Sequence, residues 1–235
     1  MRAILLAAGM GTRLRPLTLK TPKSLIPING EPLIERQIRF LKQIGIKQII
    51  IVTGYLQEKF TYLKDKYKVR LVHNDKYDQY NNIYSMYLVR EYLPGAYVID
   101  ADNYLSRNFL VENPNTSLYF SAKKPFTDEW VIHVNRQNKV KNITIEPEGI
   151  EYILCGVSYW SPEDGQKLVT KLEQIVHSGN FQDLYWDHIV KDHIAELNVY
   201  LREIAASDTY EIDTLEDLER LREAVELPLS VHTRT

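Results

Sequence analysis

Short apolar runs at Ala3–Ala7, Gln48–Thr53, Val69–His73 and Tyr97–Asp102 alternate with segments of helical periodicity in the amino-terminal part of the chain. An unbroken apolar run of this length suits a strand covered on both faces. Between the runs, Ile34, Ile38, Leu41 and Ile44 recur at helical spacing in Glu31–Ile44, which Gly45 can close. Leu56, Phe60 and Leu63 mark a second helix, and Asn82–Leu93 reads as a third, stopped by Pro94-Gly95. Strands alternating with helices build βαβ units, so the chain is constrained to a mostly parallel α/β sheet with helices on both faces. After residue 115 the rhythm changes. Ser117–Ala122, Trp130–Asn135, Val140–Ile145 and Glu151–Tyr159 read as strands with turns between them, a small antiparallel addition. Helices over about 162–177 and 184–196, a strand near 199–204 and an amphipathic helix over about 214–226 follow. No repeat, low-complexity tract or linker interrupts the chain. We expect one domain over residues 1–226 and a mobile tail over 227–235.

Composition narrows the function. A chain that is 44% hydrophobic and 26% charged is not disordered as a whole. A net charge of −2 and the lack of a basic run disfavour a nucleic-acid partner, which requires a cationic face. One cysteine, Cys155, excludes an internal disulfide and suits a reducing compartment. The apolar start is too short for a signal peptide, and no stretch approaches the ~20 apolar residues that span a bilayer. A cytoplasmic protein without membrane insertion is expected, as a monomer or a homodimer. The 16 tyrosines and three tryptophans mostly belong at the rim of a core, but a few can form a box for an organic cation.

The strongest local signal is Leu6-Ala7-Ala8-Gly9-Met10-Gly11-Thr12-Arg13-Leu14, followed by Thr21-Pro22-Lys23-Ser24. A buried parallel strand here delivers the chain to a glycine turn at its carboxyl end, where open α/β sheets bind ligands. Small side chains let backbone N–H groups approach a phosphate, Arg13 can fork onto a triphosphate, and Lys23 adds a compact positive charge. The segment resembles the signature of the sugar-1-phosphate nucleotidyltransferase superfamily. It is neither the dinucleotide fingerprint nor a Walker loop, since Arg13-Leu14 stands where a third glycine would and no Gly-Lys-Ser/Thr occurs. The resemblance implies a Rossmann-like fold of the nucleotide-diphospho-sugar transferase type. It also implies catalytic roles for Arg13 and Lys23 and nucleotide contacts from Leu6, Ala7, Ala8, Gly9, Gly11, Thr12 and Ala101. Mg²⁺ is then held by Asp102 and Asp213. Ala101 replaces the glycine that superfamily members carry before the acid. Asp213 or Thr214 also fits the N-cap of the last helix, and Asp100 reads as a supporting acid.

Further segments sharpen the resemblance: Asn81-Asn82-Ile83-Tyr84-Ser85, Asp128-Glu129-Trp130, Tyr185-Trp186-Asp187 and Tyr210-Glu211-Ile212-Asp213. Together they look like the bacterial phosphocholine cytidylyltransferases of the LicC type, over residues 1 to about 225. That likeness implies transfer of CMP from CTP to phosphocholine for decoration of cell-surface glycans. It places Tyr80, Asn82 and Ser85 at the nucleotide and Glu129, Trp130, Tyr185, Trp186, Asp187, Tyr210 and Glu211 around choline. The physics agrees, because a trimethylammonium group donates no hydrogen bond and is bound by aromatic faces with acids nearby. Asn82 fits an N-cap equally well, Trp186 fits either the box or the core, and Trp160, inside an apolar strand, reads as core. His188 and His193, five residues apart, read as surface residues. Two other functions stay open: a sugar-1-phosphate nucleotidyltransferase using UTP, dTTP or GTP, and a non-catalytic nucleotide-binding regulator on the same fold. Phosphoethanolamine is a further acceptor that the residues do not separate from phosphocholine.

Overall fold

The computed structural model describes residues 1–226, and the tail expected at 227–235 lies outside the described residues. The chain runs β1 (Arg2–Ala7), β2 (Pro27–Ile28), β3 (Glu31–Pro32), α1 (Leu33–Gln43), β4 (Gln48–Thr53), α2 (Tyr62–Tyr67), β5 (Arg70–His73), α3 (Asn82–Leu88), β6 (Ala96–Asp100) and β7 (Asn103–Leu105). It continues through β8 (Ser117–Val134), β9 (Val140–Trp160), α4 (Pro162–Ser178), α5 (Trp186–His193), β10 (Val199–Glu203), β11 (Thr209–Glu211) and α6 (Leu215–Glu226). Seven strands form one sheet in the order β10-β8-β9-β6-β1-β4-β5. β6, β1, β4 and β5 are mutually parallel, and β10 is parallel to β8. β9 runs antiparallel to both of its neighbours, β6 and β8. This is the mostly parallel mixed sheet that the strand–helix rhythm predicts, in the Rossmann-like form that the resemblance implies.

The unbroken apolar runs are explained by burial on both faces. Ile4, Leu6, Ile50, Val52 and Val98 point to one side, where Met86 of α3, Leu168 of α4 and Val190 of α5 cover them. Ala3, Leu5, Ile49, Ile51 and Ile99 point to the other, under Ile34, Ile38 and Leu41 of α1 and Leu63 of α2. Each of the leucine, isoleucine, valine and methionine side chains contributes about 1.5–3 kcal/mol when fully buried. A third cluster joins Leu14 beyond the glycine turn to Tyr104 of β7, Ile212 after β11, and Leu218 and Leu221 of α6. It fixes the end of the chain against the amino-terminal loop.

Several boundaries differ from the sequence expectations. The fourth strand ends at Asp100, not Asp102, because the chain turns at Ala101-Asp102 before β7. The helix expected over Asn82–Leu93 stops at Leu88 and continues as a 3₁₀ turn over Arg90–Tyr92; the one expected from 184 begins at Trp186. The largest difference lies in the antiparallel part. The separate strands expected there are two long ones, β8 and β9, paired from Leu118↔Tyr159 to Val134↔Val140. Pro125 and Gly149, in stretches expected to be turns, lie inside this ribbon, opposite Ile150 and Phe126 respectively. The Phe126 ring covers Gly149, where an added Cβ would come within 2.9 Å of it. The ribbon curls, so Val131 pairs with Ile153 as well as Thr144, and its tip returns to the sheet through a bridge between Lys139 and Tyr200.

Candidate active site

The carboxyl ends of β1, β4, β5 and β6 share one edge of the sheet, and a groove opens above them. After β1 the chain turns at Gly11, in the left-handed region at φ +58°, and the Thr18 hydroxyl donates to the Gly11 carbonyl at 2.8 Å. An added Cβ here would meet the Lys23 Cβ and Thr18 Cγ2 at 3.1 Å, so glycine lets Lys23 pack directly on the turn. Leu6, Ala7, Gly9, Gly11, Thr12, Arg13, Lys23, Ala101, Asp102 and Asp213 line this end, a hollow of about 240 Å³. Leu6, Gly9, Arg13, Asp102 and Asp213 also line a larger cleft of about 610 Å³, so the two form one continuous groove. Ala8, Tyr80, Asn82 and Ser85 stand along the cleft, as do Glu129, Trp130, Tyr185, Asp187 and Glu211.

Three carboxylates meet where hollow and cleft join. β11 pairs antiparallel with β7, setting Glu211 opposite Asn103 and bringing Glu211 and Asp213 beside Asp102. One oxygen from each of Asp102, Glu211 and Asp213 lies within 4.8 Å of the others. The turn that carries Asp102 is held from below by buried Gln37 of α1, whose amide donates to the Asp100 and Asn103 carbonyls at 3.1 and 2.8 Å. Asp213 is not the helix cap. Thr214 and Asp217 cap α6 reciprocally: the Thr214 hydroxyl accepts the Asp217 N–H at 3.2 Å, and the Asp217 carboxylate accepts the Thr214 N–H at 2.8 Å. The Asp213 carboxylate is thereby left to the groove. Lys23 Nζ reaches Asp102 at 2.9 Å and Asp213 at 2.6 Å, and Arg13 reaches Asp213 at 2.8 Å. Burial pulls the Lys23 ammonium down, but the two carboxylates outweigh it and hold the group above the ordinary lysine range. Glu211 opens to the cleft yet is crowded on its other sides. That crowding, then Asp102 and Asp213, push its carboxyl up to about 8.

The far end of the cleft is acidic and aromatic. Burial raises Asp187 to about 7, against the Tyr119 hydroxyl, which donates to its carboxylate at 3.0 Å. Burial also raises Asp100 well above the usual range, helped by Asp102, Asp187 and Glu211, and raises Glu129. Acids gathered this way disfavour their own ionisation, and a cation among them reverses the balance. β9 passes Asp100 at Gly156, where φ is +61° and an added Cβ would collide with Asp100 and Asn103. Trp130 and Tyr185 give this end its aromatic faces, and Tyr185 is 47% exposed.

Other candidates are held by contacts of their own. Trp186 is buried at 4% exposure and packs edge-on against Trp160 with ring centres 5.6 Å apart; it is a core residue beneath the cleft rather than a wall of it. Tyr210 turns away to a neighbouring pocket shared with Lys124 and Arg220, next to Tyr104. Asn82 is neither a base reader by its oxygen nor a cap for its own helix: its Oδ1 accepts the Trp186 N–H at 2.9 Å, tying α3 to α5. Ser85 is buried and accepts from the Asn74 amide at 2.9 Å. Tyr80 packs on Phe181 at 4.8 Å. Sequence reasoning missed His188, whose ring packs against both Trp130 and Tyr185 and which is no plain surface residue. Its position three residues after Tyr185 was the available signal.

Residues 3–105 match the MobA-like NTP transferase domain family. The chain is 50% identical over 224 residues to a choline-phosphate cytidylyltransferase of Streptococcus pneumoniae, covering 95% of this chain and 97% of that one. It is 40% identical to a choline-phosphate cytidylyltransferase of Haemophilus influenzae, over 92% and 94% of the two chains. A 2-aminoethylphosphonate cytidylyltransferase of Lancefieldella rimae is 36% identical, over 92% and 89%. The solved structure of the CTP:phosphocholine cytidylyltransferase LicC from Streptococcus pneumoniae superposes with a TM-score of 0.93 at 50% identity, covering 95% of this chain and 98% of that one. With a glycine-turn groove, a lysine among carboxylates and likeness of this extent, the chain belongs to the LicC-type choline-phosphate cytidylyltransferase family of nucleotidyltransferases.

Proposed function

We propose that the protein transfers CMP from CTP to phosphocholine, releasing CDP-choline and pyrophosphate, in the cytoplasm where nucleoside triphosphates are made. One observation carries this reading: a single groove joins the Lys23–Arg13 end to a pocket of aromatic faces and raised-pKa acids. A triphosphate fits the first and a quaternary ammonium the second. A phosphate oxygen of phosphocholine attacks the α-phosphorus of CTP in line, and the bond from that phosphorus to the bridging oxygen breaks as pyrophosphate leaves. No protein nucleophile is needed. Arg13 and Lys23 neutralise charge on the triphosphate, and the glycine turn orients it. Trp130, Tyr185, Glu129 and Asp187 hold the choline head so that its phosphate faces the nucleotide.

The carboxylate cluster suits a hard divalent cation such as Mg²⁺. Its donors are all oxygen, and Asp102 Oδ1 is buried with no hydrogen-bond partner among the described residues. Asp102, Asp213 and Glu211 would hold the ion, which draws charge from the phosphate oxygens when bound. Glu211 thus moves in this reading from the choline set to the metal set.

The test is pyrophosphate release from each nucleoside triphosphate with phosphocholine, phosphoethanolamine, 2-aminoethylphosphonate and glucose 1-phosphate, with and without EDTA. CTP with phosphocholine should be fastest by kcat/KM, and EDTA should stop it. Preference for a hexose 1-phosphate or an aminoethyl acceptor would overturn the acceptor assignment.

A further inference from the structure

His188 stands in the third position of α5, with its imidazole packed against both aromatic walls of the cleft while it lines a separate hollow with Ile189 and His193. The Trp130 ring meets it edge-on, at 4.6 Å between centres and 88° between planes. The Tyr185 ring lies parallel to it, at 6.0 Å and 10°. Nδ1 is 3.0 Å from the Tyr185 backbone nitrogen. Nδ1 accepts that N–H when it carries no proton, and it also faces the Tyr185 carbonyl oxygen at 3.2 Å, to which it donates in the other tautomer. One side chain thus bonds to the backbone on which Tyr185 rides and packs against the rings of both Tyr185 and Trp130. The two walls come from distant parts of the chain. Trp130 rides on the curled ribbon of β8, next to the β-bulge at Trp130/Val131, and Tyr185 sits at the start of α5. Tyr185 is 47% exposed, so few contacts besides His188 hold its ring.

We propose that His188 is a positioning residue for the acceptor: it sets the orientation of the Trp130 and Tyr185 faces and so determines affinity for the quaternary ammonium head, without touching the nucleotide. The proposal rests on the choline-box reading above. A cation held by ring faces is sensitive to their angle, because the attraction comes from the quadrupole normal to each ring. Losing the imidazole leaves both walls free to rotate, and the cost falls on ground-state binding of the acceptor. It therefore appears in KM for phosphocholine rather than in kcat.

Two features of His188 can be separated by substitution. His188→Gln keeps an acceptor at the third helical position, as in a capping box, and removes the ring. His188→Phe keeps the ring and removes the acceptor. Steady-state kinetics and melting temperatures would be measured for these two, for His188→Ala, and for Trp130→Ala and Tyr185→Ala. We expect His188→Ala to raise KM for phosphocholine about tenfold, with KM for CTP and kcat within about twofold of the parent protein. His188→Phe should recover most of the phosphocholine KM. His188→Gln should recover melting temperature but not KM. Recovery of KM by glutamine and not phenylalanine would reduce His188 to a helix cap and overturn the proposal, as would a parallel rise in KM for CTP. A silent His188→Ala beside raised KM values for Trp130→Ala and Tyr185→Ala removes the role of His188 alone. Silence in all three removes the box itself.

Discussion

The Lys23 ammonium lies 2.6 Å from the Asp213 carboxylate, although 190 residues separate the two in the chain. The contact exists because Leu14, Ile212 and Leu218 share one apolar cluster, which draws the start of α6 onto the amino-terminal loop. Lys23 is thereby the counter-charge of a carboxylate cluster, a role additional to the phosphate binding proposed for it.

Lys23→Met should test both roles. Loss of one preorganised charge at the reacting phosphate typically lowers kcat about 10²–10³-fold. The variant should also melt at a lower temperature without metal, because Asp102, Glu211 and Asp213 lose their internal cation. Millimolar Mg²⁺ should restore more of its melting temperature than that of the parent protein. Unchanged turnover would end the case for Lys23.

Asp102→Asn and Asp213→Asn should each lower kcat/KM by at least about 100-fold, since even outer partners of a metal site commonly cost 10–100-fold. Glu211→Gln should raise the Mg²⁺ concentration needed for half-maximal rate. If it raised only the KM for phosphocholine, Glu211 would belong to the choline head and not to the metal.

Asp187 gives a pH dependence with a defined sign. Its carboxyl titrates at about 7 in the folded protein, through burial, and near 4 in an unfolded chain. The folded state holds the proton more tightly, so this group favours folding fully below about pH 4, and that contribution is lost as pH rises through about 7. Asp187→Asn should accordingly raise the melting temperature at pH 8 and leave it nearly unchanged at pH 4. Acceptor binding runs the other way, since only the carboxylate attracts a cation: KM for phosphocholine should climb as pH falls below about 7. Tyr119→Phe removes the hydrogen bond that favours the ionised form and should move that midpoint upward. A midpoint that stays put would dissociate Asp187 from the choline head.

Trp186→Ala should act on stability. The side chain is packed against Trp160, and emptying such a site costs about 3–5 kcal/mol. Trp130→Ala should instead raise KM for phosphocholine with a much smaller loss of melting temperature. Scanning calorimetry and steady-state kinetics on the pair would separate core from cleft.

The glycine turn, Lys23 and Asp102 are legible in the sequence because a strand, a turn of small residues and a basic pair lie close along the chain. Asp213 is legible as an acid near a helix start, but its freedom from capping is not: that depends on Thr214 and Asp217 closing their own box. In Tyr185-Trp186-Asp187 the composition suggests three cleft residues, yet the middle one faces the core while its neighbours line the groove. The β8–β9 ribbon defeats local reading for another reason. A two-stranded ribbon that leaves the sheet has edges on both sides, so Pro125 costs little there, and Phe126 shields Gly149. The β7–β11 pair, three residues on each strand, carries no periodicity at all, and it is what brings Glu211 to Asp102.

The ribbon also divides the groove by origin. Arg13, Lys23 and Asp102 come from the segment before β8, whereas Glu129, Trp130, Tyr185 and Asp187 all stand on chain beyond residue 105. Of the groups around the carboxylate cluster, only the glycine turn, Arg13, Lys23 and Asp102 fall in the stretch that matches the MobA-like family; Glu211 and Asp213 join them from the far end of the chain. Under the proposed function, changes confined to the bend of one hairpin and the start of one helix reach the acceptor's pocket without touching Arg13, Lys23 or Asp102.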